Sequence, residues 1–360
     1  MYMKKLFLNF CLILVMISIG VGCNKGTKDV NEIKTGNENI KQIGSKIAED
    51  EIYIVSENID YHFYNISSRR GIVVDCLSSS KLDTDNIQVD IDIKTPYTVM
   101  IDEMEEEEMN EYLYAAYCGI DWEKASNLKK EDTAAYKEYL KTYENQYNEL
   151  DKNEIGKIYH YQIGINFTFF DDGENESFQD ITVHYKGKEF KKTIGNIIID
   201  YSSECKTKEG SMVTECISAG DIPIYKNKNG YMDYIGTETF QTFGQVTIKN
   251  IYLFNNKDTL KKCEISVFSD KTNFNQEWSG SAIQIEKGAV LDTPITLQRE
   301  SFKNKLYYQS NNYLVVEYEE KGKQYCIHTE MCFASRLNAY EMYAYYLDGV
   351  DLTGYCDLVY

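Results

Sequence analysis

The chain has 360 residues, of which 57 are acidic and 38 are basic, so its formal net charge is −19 at pH 7. With 43% hydrophobic residues, 26% charged residues and only 3 prolines, the composition is that of a globular protein and excludes a disordered or collagen-like chain. The negative charge repels phosphate backbones and therefore excludes nucleic acid as a partner.

Residues 1–22 have the pattern of an export signal. Lys4 and Lys5 give a positive start, and an apolar run follows from Leu6 to Val21. A helix that spans a bilayer needs about 20 apolar residues, and this run is shorter. The pattern therefore favours a cleaved signal, with a transmembrane anchor as the alternative.

The end of this signal carries a recognisable motif. The segment Ile19-Gly20-Val21-Gly22-Cys23 resembles the lipobox of bacterial lipoproteins, with Gly20 where that motif usually has leucine. The resemblance implies cleavage before Cys23 and attachment of diacylglycerol to its thiol. It also implies a protein held on the extracytoplasmic face of the cell membrane, with membrane lipid as its partner through Cys23. It covers nothing beyond Cys23.

Residues 23–50 show no sustained apolar period that could bury one face. We expect a lipidated flexible tether here, which would hold a folded body clear of the membrane.

Eight cysteines remain after processing and lipidation: Cys76, Cys118, Cys205, Cys216, Cys263, Cys326, Cys332 and Cys356. An exported chain with this even number permits four disulfides, and free thiols are the alternative. Cys205 and Cys216 flank a turn-like sequence and are the candidate local pair.

Residues 51–203 predict a β-rich domain with a helical insertion at about residues 102–150. Ile87, Val89, Ile91 and Ile93 alternate with polar residues, as do the aromatic and isoleucine residues of 159–169, which is the pattern of half-buried strands. A hairpin is expected through Lys186-Gly187-Lys188. Within the insertion, one helix should stop at Gly119, and a second carries an apolar stripe from Tyr136 to Leu150.

Residues 204–360 predict a second β-rich domain with a short C-terminal helix, for which Ser335 is the expected N-cap. Strands are expected at 245–254, 262–268, 281–286 and 313–318. The fold class is therefore mainly β, α+β overall, with two β-sandwich-like units, the first of which contains the helical hairpin.

The chain contains no known catalytic motif, and His62, His160 and His184 lie in strand-like sequence where half-buried packing is expected. His328 and Glu330 share one strand face with Cys326 and Cys332, a set of ligands that suits zinc or copper. Because alternate strand residues lie about 6.6 Å apart, one strand rarely supplies more than two ligands. Disulfides to neighbouring strands are the alternative for the two cysteines.

Two acidic turns, Asp83-Thr84-Asp85-Asn86 and Asp171-Asp172-Gly173-Glu174, offer oxygen ligands for calcium. Neither matches the EF-hand loop, so ordinary turn chemistry is preferred and no cofactor is expected beyond a possible calcium ion.

Trp122, Trp278 and the 31 tyrosines provide rings that could stack on sugars, so the two tryptophans are candidate ligand-binding residues. The expected function is a non-catalytic binding or interaction module of the cell envelope. Its partner would be a cell-wall glycan or another envelope protein. The alternatives are a dedicated glycan-binding protein or a carboxylate-dependent hydrolase. A deep pocket with two carboxylates about 5 to 9 Å apart would indicate the hydrolase.

Overall fold

The computed structural model describes residues 38–64, 70–105, 107–170, 173–201, 210–216, 224–226, 232–254, 259–269, 273–299, 306–334 and 337–352. The predicted signal peptide and the lipidation site Cys23 lie outside these residues. The structure is mainly β with sandwich-like packing, which confirms the predicted fold class. No helix in the described part of the chain is long and apolar enough to cross a membrane.

The strands follow one another along the chain in this order: β1 (Tyr53–Ile54), β2 (Ile59–Tyr64), β3 (Gly71–Ser78), β4 (Ile87–Asp90), β5 (Tyr97–Glu103), β6 (Tyr159–Phe167), β7 (Glu176–Tyr185), β8 (Lys188–Asp200), β9 (Met212–Cys216), β10 (Ile224–Lys226), β11 (Met232–Thr242), β12 (Val246–Leu253), β13 (Thr259–Phe268), β14 (Asn273–Glu277), β15 (Ile283–Ile285), β16 (Val290–Arg299), β17 (Gln309–Glu320) and β18 (Lys323–Ala334).

These strands form three sheets. The first has the order β1-β3-β6-β5, and the second has the order β10-β11-β16-β13-β14 with β9 added to β11. The third and largest has the order β15-β12-β17-β2-β8-β7-β4 with β18 added to β17. Neighbouring strands in the described parts run antiparallel except around β2, which is parallel to both β8 and β17.

The eight-stranded sheet contributes to two hydrophobic cores. Side chains of β2, β4, β7 and β8 pack against β3 and β6 of the four-stranded sheet. Side chains of β12, β15, β17 and β18 pack against the six-stranded sheet. The pairing of Ile59 with Gln309 joins the two halves of this shared sheet and links strands from both sides of the predicted domain boundary.

The helical insertion lies between β5 and β6, where the sequence predicts it, but it contains three helices: α1 (Glu111–Tyr117), α2 (Trp122–Glu131) and α3 (Thr133–Glu149). Gly119 ends α1 with a φ of 71°, and the Ile120 N–H donates to the Ala115 carbonyl at 3.0 Å, as in a Schellman motif. Hydrophobic periodicity did not predict α2, because this helix has no apolar stripe and Ala125 is its one buried residue.

The C-terminal helix α4 (Ala339–Tyr343) begins with a capping box between Asn338 and Glu341. Asn338 is thus the N-cap, and the prediction of Ser335, which lies outside the described residues, is wrong in position. A single π-helical turn, Ala344–Asp348, continues α4.

Residues 38–50 correct the predicted tether, because they pack against the body of the protein. Ile40, Ile43 and Ile47 are buried in a third core with residues of α1 and α4. Their spacing of three and four places them on one side of a helical turn. The prediction of a flexible tether is therefore wrong for residues 38–50. It stays a prediction for residues 23–37, which lie outside the described residues.

A buried polar network connects this third core to the sheets. The Asp75 carboxylate on β3 accepts hydrogen bonds from His160 Nε2 at 2.9 Å, from Gln162 Nε2 at 3.0 Å and from the Tyr307 hydroxyl. Ser56 Oγ contacts the Tyr307 hydroxyl at 2.6 Å and accepts the Asp75 N–H at 2.7 Å. The carboxylate therefore has partners from β6 and from the chain that enters β17.

The network continues through His160 to the acidic segment before α1. His160 Nδ1 lies 3.6 Å from Glu107 Oε1, and the second oxygen of Glu107 accepts the N–H of Ala339, the first residue of α4. Burial lowers the pKa of His160, but its hydrogen bond to Asp75 and the negative charges of Asp75 and Glu107 outweigh burial and raise the pKa to about 9. Its charged form is therefore held at neutral pH.

We expect the Asp75→Ala variant to lose about 3 kcal/mol or more of unfolding free energy, because it leaves a buried cationic His160 without its main partner. Urea denaturation at pH 7 measures the loss. Asp180→Ala is the matched control, since Asp180 is an exposed sheet carboxylate that binds Thr193 and Lys191. Equal unfolding midpoints for the two variants would contradict a stabilising role for the network.

A second buried acid, Glu238 on β11, gives a pH-dependent prediction. Its side chain is 2% exposed, and burial raises its pKa to about 8. The unfolded chain binds this proton only up to about pH 4.5, so stability falls as pH rises from there through about 8.

Glu238→Gln should therefore be more stable than the native chain at pH 8.5, by on the order of 3 kcal/mol, and similar to it at pH 4.5. Urea denaturation at the two pH values checks this, with Glu277→Gln on exposed β14 as control. A difference that does not change with pH would contradict the prediction.

Candidate binding groove

An open groove of about 560 Å³ lies at the end of the eight-stranded sheet. Its lining residues come from β4, from the residue before it and from the β7–β8 hairpin, and they are Asn86, Gln88, Asp90, His184, Tyr185, Lys186 and Gly187. Because β4 is the terminal strand of this sheet, the groove lies beside its open end.

Strand alternation explains why these side chains share one face. On β4, Ile87 and Val89 are buried in the first core, whereas Gln88 and Asp90 are exposed. The register pairs Gln88 with His184 and pairs His184 with Glu189 on β8. Three neighbouring strands therefore place an amide, an imidazole and a carboxylate in one row.

His184 is held between two carboxylates. Its Nε2 lies 2.9 Å from Asp90 Oδ2, and its Nδ1 lies 3.7 Å from Glu189 Oε1. The carboxylates are 75% and 73% exposed, so each retains oxygen lone pairs that can accept hydrogen bonds from a ligand. The imidazole is 29% exposed and its orientation is fixed by these contacts.

The rim of the groove is a tight turn. Lys186 and Gly187 both have positive φ, 48° and 77°, which is the geometry of a type I′ hairpin and confirms the predicted turn. Lys186 Nζ lies 2.6 Å from Asp50 Oδ1, so this cation is already paired. Tyr185 is buried, and its hydroxyl accepts the Asp83 N–H at 3.1 Å.

The predicted metal ligands lie elsewhere, on β18. Glu330 is buried and accepts hydrogen bonds from Asn311 Nδ2 at 2.9 Å and from the Tyr313 hydroxyl at 3.3 Å. His328 stacks edge-to-face with Phe254, and burial lowers its pKa. Among the residues that the structure describes, no group of three or more His, Cys, Asp or Glu side chains is arranged to hold a metal ion.

The two acidic turns proposed for calcium have other contacts. Asp83 Oδ2 accepts from Asn86 Nδ2 at 2.7 Å, which is ordinary turn chemistry. Asp171 and Asp172 lie outside the described residues, and Glu174 pairs with Lys94 at 2.9 Å.

The two tryptophans are not brought together. Trp122 starts α2 and is half-buried against the third core, whereas Trp278 follows β14 and is half-buried against the second core. Neither lines the groove.

The candidate disulfide cannot be compared with the structure, because Cys205 and the side chain of Cys216 lie outside its description. Cys76, Cys118 and Cys263 are free thiols. Burial raises the pKa of all three, that of Cys263 to about 12, so these thiols are protonated and weakly reactive.

The groove was not predicted, because His184 lies in a strand-like segment where half-buried packing is the expected role of a histidine. The pattern does place Gln88 and Asp90 on the exposed face of a strand, but only the pairing of β4 with β7 brings them beside His184. That pairing spans 94 residues and has no local signal.

Neither a protein-family model nor a curated protein sequence matches this chain. The similar solved structures include a FixG-related protein of Vibrio parahaemolyticus, at 14% identity and a TM-score of 0.21 over 36% of this chain and 100% of that one. CfaE, the adhesive subunit of CFA/I fimbria of enterotoxigenic Escherichia coli, is 10% identical with a TM-score of 0.23 over 51% of this chain and 64% of that one. The collagen adhesin of S. aureus is 8% identical with a TM-score of 0.21 over 81% of this chain and 95% of that one. All three TM-scores are far below 0.5, so these similarities identify neither a family nor a ligand.

Proposed function

We propose that this protein is a lipid-anchored binding protein of the extracytoplasmic membrane face that holds a hydroxyl-rich glycan in the groove around His184. The observation that carries the proposal is the chemistry of the groove. Its lining offers the amides of Asn86 and Gln88, the carboxylate of Asp90, the half-buried imidazole of His184 and the ammonium of Lys186, which is paired with Asp50.

These groups suit a ligand with hydrogen-bond donors and acceptors on neighbouring atoms. The amides of Asn86 and Gln88 both donate and accept, while Asp90 accepts alone. Pockets for apolar small molecules are enclosed and mostly apolar, unlike this one. Vicinal hydroxyls of a sugar match this alternation of donors and acceptors.

Charge favours a neutral glycan over an anionic one. The chain has a net charge of −19, and the one cation in the groove lining, Lys186, is paired with Asp50. A lipid anchor at Cys23 would place such a groove among the glycans of the cell envelope.

The geometry also favours binding over hydrolysis. A glycosidase needs one carboxyl whose pKa is raised so that it can act as an acid. Glu238 has a carboxyl whose pKa is raised, but this residue is buried on β11 of the six-stranded sheet and does not line the groove. Asp90 and Glu189 are well solvated and both lie against His184.

We expect Gln88→Ala and Asp90→Ala each to weaken glycan binding about 10-fold, since each removes one or two hydrogen bonds. Calorimetric titration with peptidoglycan fragments and a glycan array would measure this, using the chain from Asn24 onward, which retains every described residue. Gln284→Ala is the matched control, because Gln284 is an exposed glutamine on β15 at the opposite end of the same sheet. An equal loss in all three variants would exclude the groove as the site, and no binding to any glycan would refute the proposed ligand.

The anchor has a separate test. Cys23→Ala should abolish metabolic labelling with a fatty acid and release the protein from membranes, because the diacylglycerol would have no thiol to attach to. Cys118→Ala is the control and should be labelled normally. If the Cys23→Ala protein stays in the membrane fraction, the transmembrane alternative is correct.

A further inference from the structure

Strand β5 forms an open edge of the four-stranded sheet. In the part of the chain that is described, β5 pairs with β6 alone. Its middle residues Thr98, Val99 and Met100 are all exposed, and Met100 reaches 58%. Edge strands in natural proteins are usually very short, carry charged residues or are covered by another element, because their free backbone groups attract other strands. Strand β5 has seven residues and an apolar, exposed middle.

The hydrogen-bond pattern shows which backbone groups of β5 face outward. The Thr168 N–H donates to the Pro96 carbonyl, and the Met104 N–H donates to the His160 carbonyl, so even-numbered residues bond to β6. In an antiparallel ladder these bonding pairs alternate with pairs that point away. The N–H and C=O groups of Val99 and Ile101 therefore face the open edge.

The side chains beside this edge are apolar in the middle and acidic at one end. Met100 pairs with Gly164 on β6, and Gly164 pairs with Val73 on β3, so the two exposed apolar side chains flank a glycine. Asp102 and Glu105 lie exposed at the C-terminal end, whereas Glu103 already pairs with Lys81 at 2.9 Å.

We propose that the β5 edge binds an extended segment of a partner protein by strand addition, and that this segment has apolar residues followed or preceded by Lys or Arg. The free groups of Val99 and Ile101 would supply main-chain hydrogen bonds, and Met100 would contact an apolar side chain. The basic residues would lie beside Asp102 and Glu105. A second copy of this chain is disfavoured, because two bodies of charge −19 repel each other.

The first test uses synthetic seven-residue peptides in which a run of valines is followed or preceded by lysines. Binding to the chain from Asn24 onward is measured by fluorescence anisotropy, with the peptide at low micromolar concentration. We expect the lysine peptide to bind at least 10-fold more tightly than its glutamate counterpart. A lysine peptide N-methylated on alternate residues should also lose at least 10-fold, since it lacks the main-chain donors.

The matched variants are Val99→Pro and Val99→Thr. Proline removes the outward N–H of residue 99 without removing a bond to β6, whereas threonine keeps that N–H and the branched shape. Val99→Pro should weaken peptide binding at least 10-fold, and Val99→Thr should stay within about 2-fold of the native chain.

Hydrogen exchange keeps the test informative if Val99→Pro fails to fold. In the native chain alone, the Met100 amide should be protected by β6 while the Val99 and Ile101 amides exchange quickly. The lysine peptide should slow Val99 and Ile101 at least 10-fold and leave Met100 unchanged. Unchanged exchange at Val99 and Ile101 on peptide binding would overturn the proposal. So would concentration-dependent dimers of the native chain that Val99→Pro abolishes, because they would make a second copy the occupant.

Discussion

The Asp75 carboxylate is the interaction on which the arrangement of the other elements depends. A carboxylate this deeply buried has to be supplied with donors, and its donors come from distant parts of the chain. His160 and Gln162 belong to β6, while Tyr307 precedes β17 and lies 232 residues away in sequence. Satisfying one side chain therefore fixes where the chain enters β17 relative to the four-stranded sheet.

The position at which the chain enters β17 determines how the eight-stranded sheet is joined. The first two residues of β17 pair with β2, and β2 continues in parallel with β8. β17 also pairs with β18 along its whole length and with β12 from Leu314 to Glu319, and both of these strands contribute to the second core. Side chains on both faces of β17 are buried or half-buried, so a shift by one residue would move each of them to the opposite face, where different neighbours surround it. The buried network thus fixes the register of β17 against β2, and this pairing joins the two halves of the eight-stranded sheet. The groove lies at the β4 end of that sheet, and the β5 edge belongs to the four-stranded sheet that contains Asp75.

Sequence periodicity predicted the elements whose signal is local. The alternation of residues 159–167 corresponds to β6, the Lys-Gly turn at 186–187 joins β7 to β8, and Gly119 ends α1. Contacts between distant residues had no such signal. The parallel pairing of β2 joins residues 59–64 to residues 195–200, and α2 has no stripe that would mark it as a helix. The groove was missed for the same reason, since its two halves are predictable as strands but their adjacency is not.

The three histidine–aspartate pairs show how burial assigns different roles to the same chemistry. In each pair an imidazole Nε2 lies 2.9 to 3.0 Å from a carboxylate oxygen, but the histidine is 5% exposed at His160, 18% at His62 and 29% at His184. A buried pair cannot exchange its partner for water without a large free-energy cost, so the pair at His160 stabilises the fold. At His184 the aspartate is 75% exposed and its hydrogen bond competes with solvent, so a ligand hydroxyl can replace either partner at little cost. The same residue types therefore stabilise the fold where they are buried, at His160 and Asp75, and offer exchangeable hydrogen bonds to a ligand where they are exposed, at His184 and Asp90.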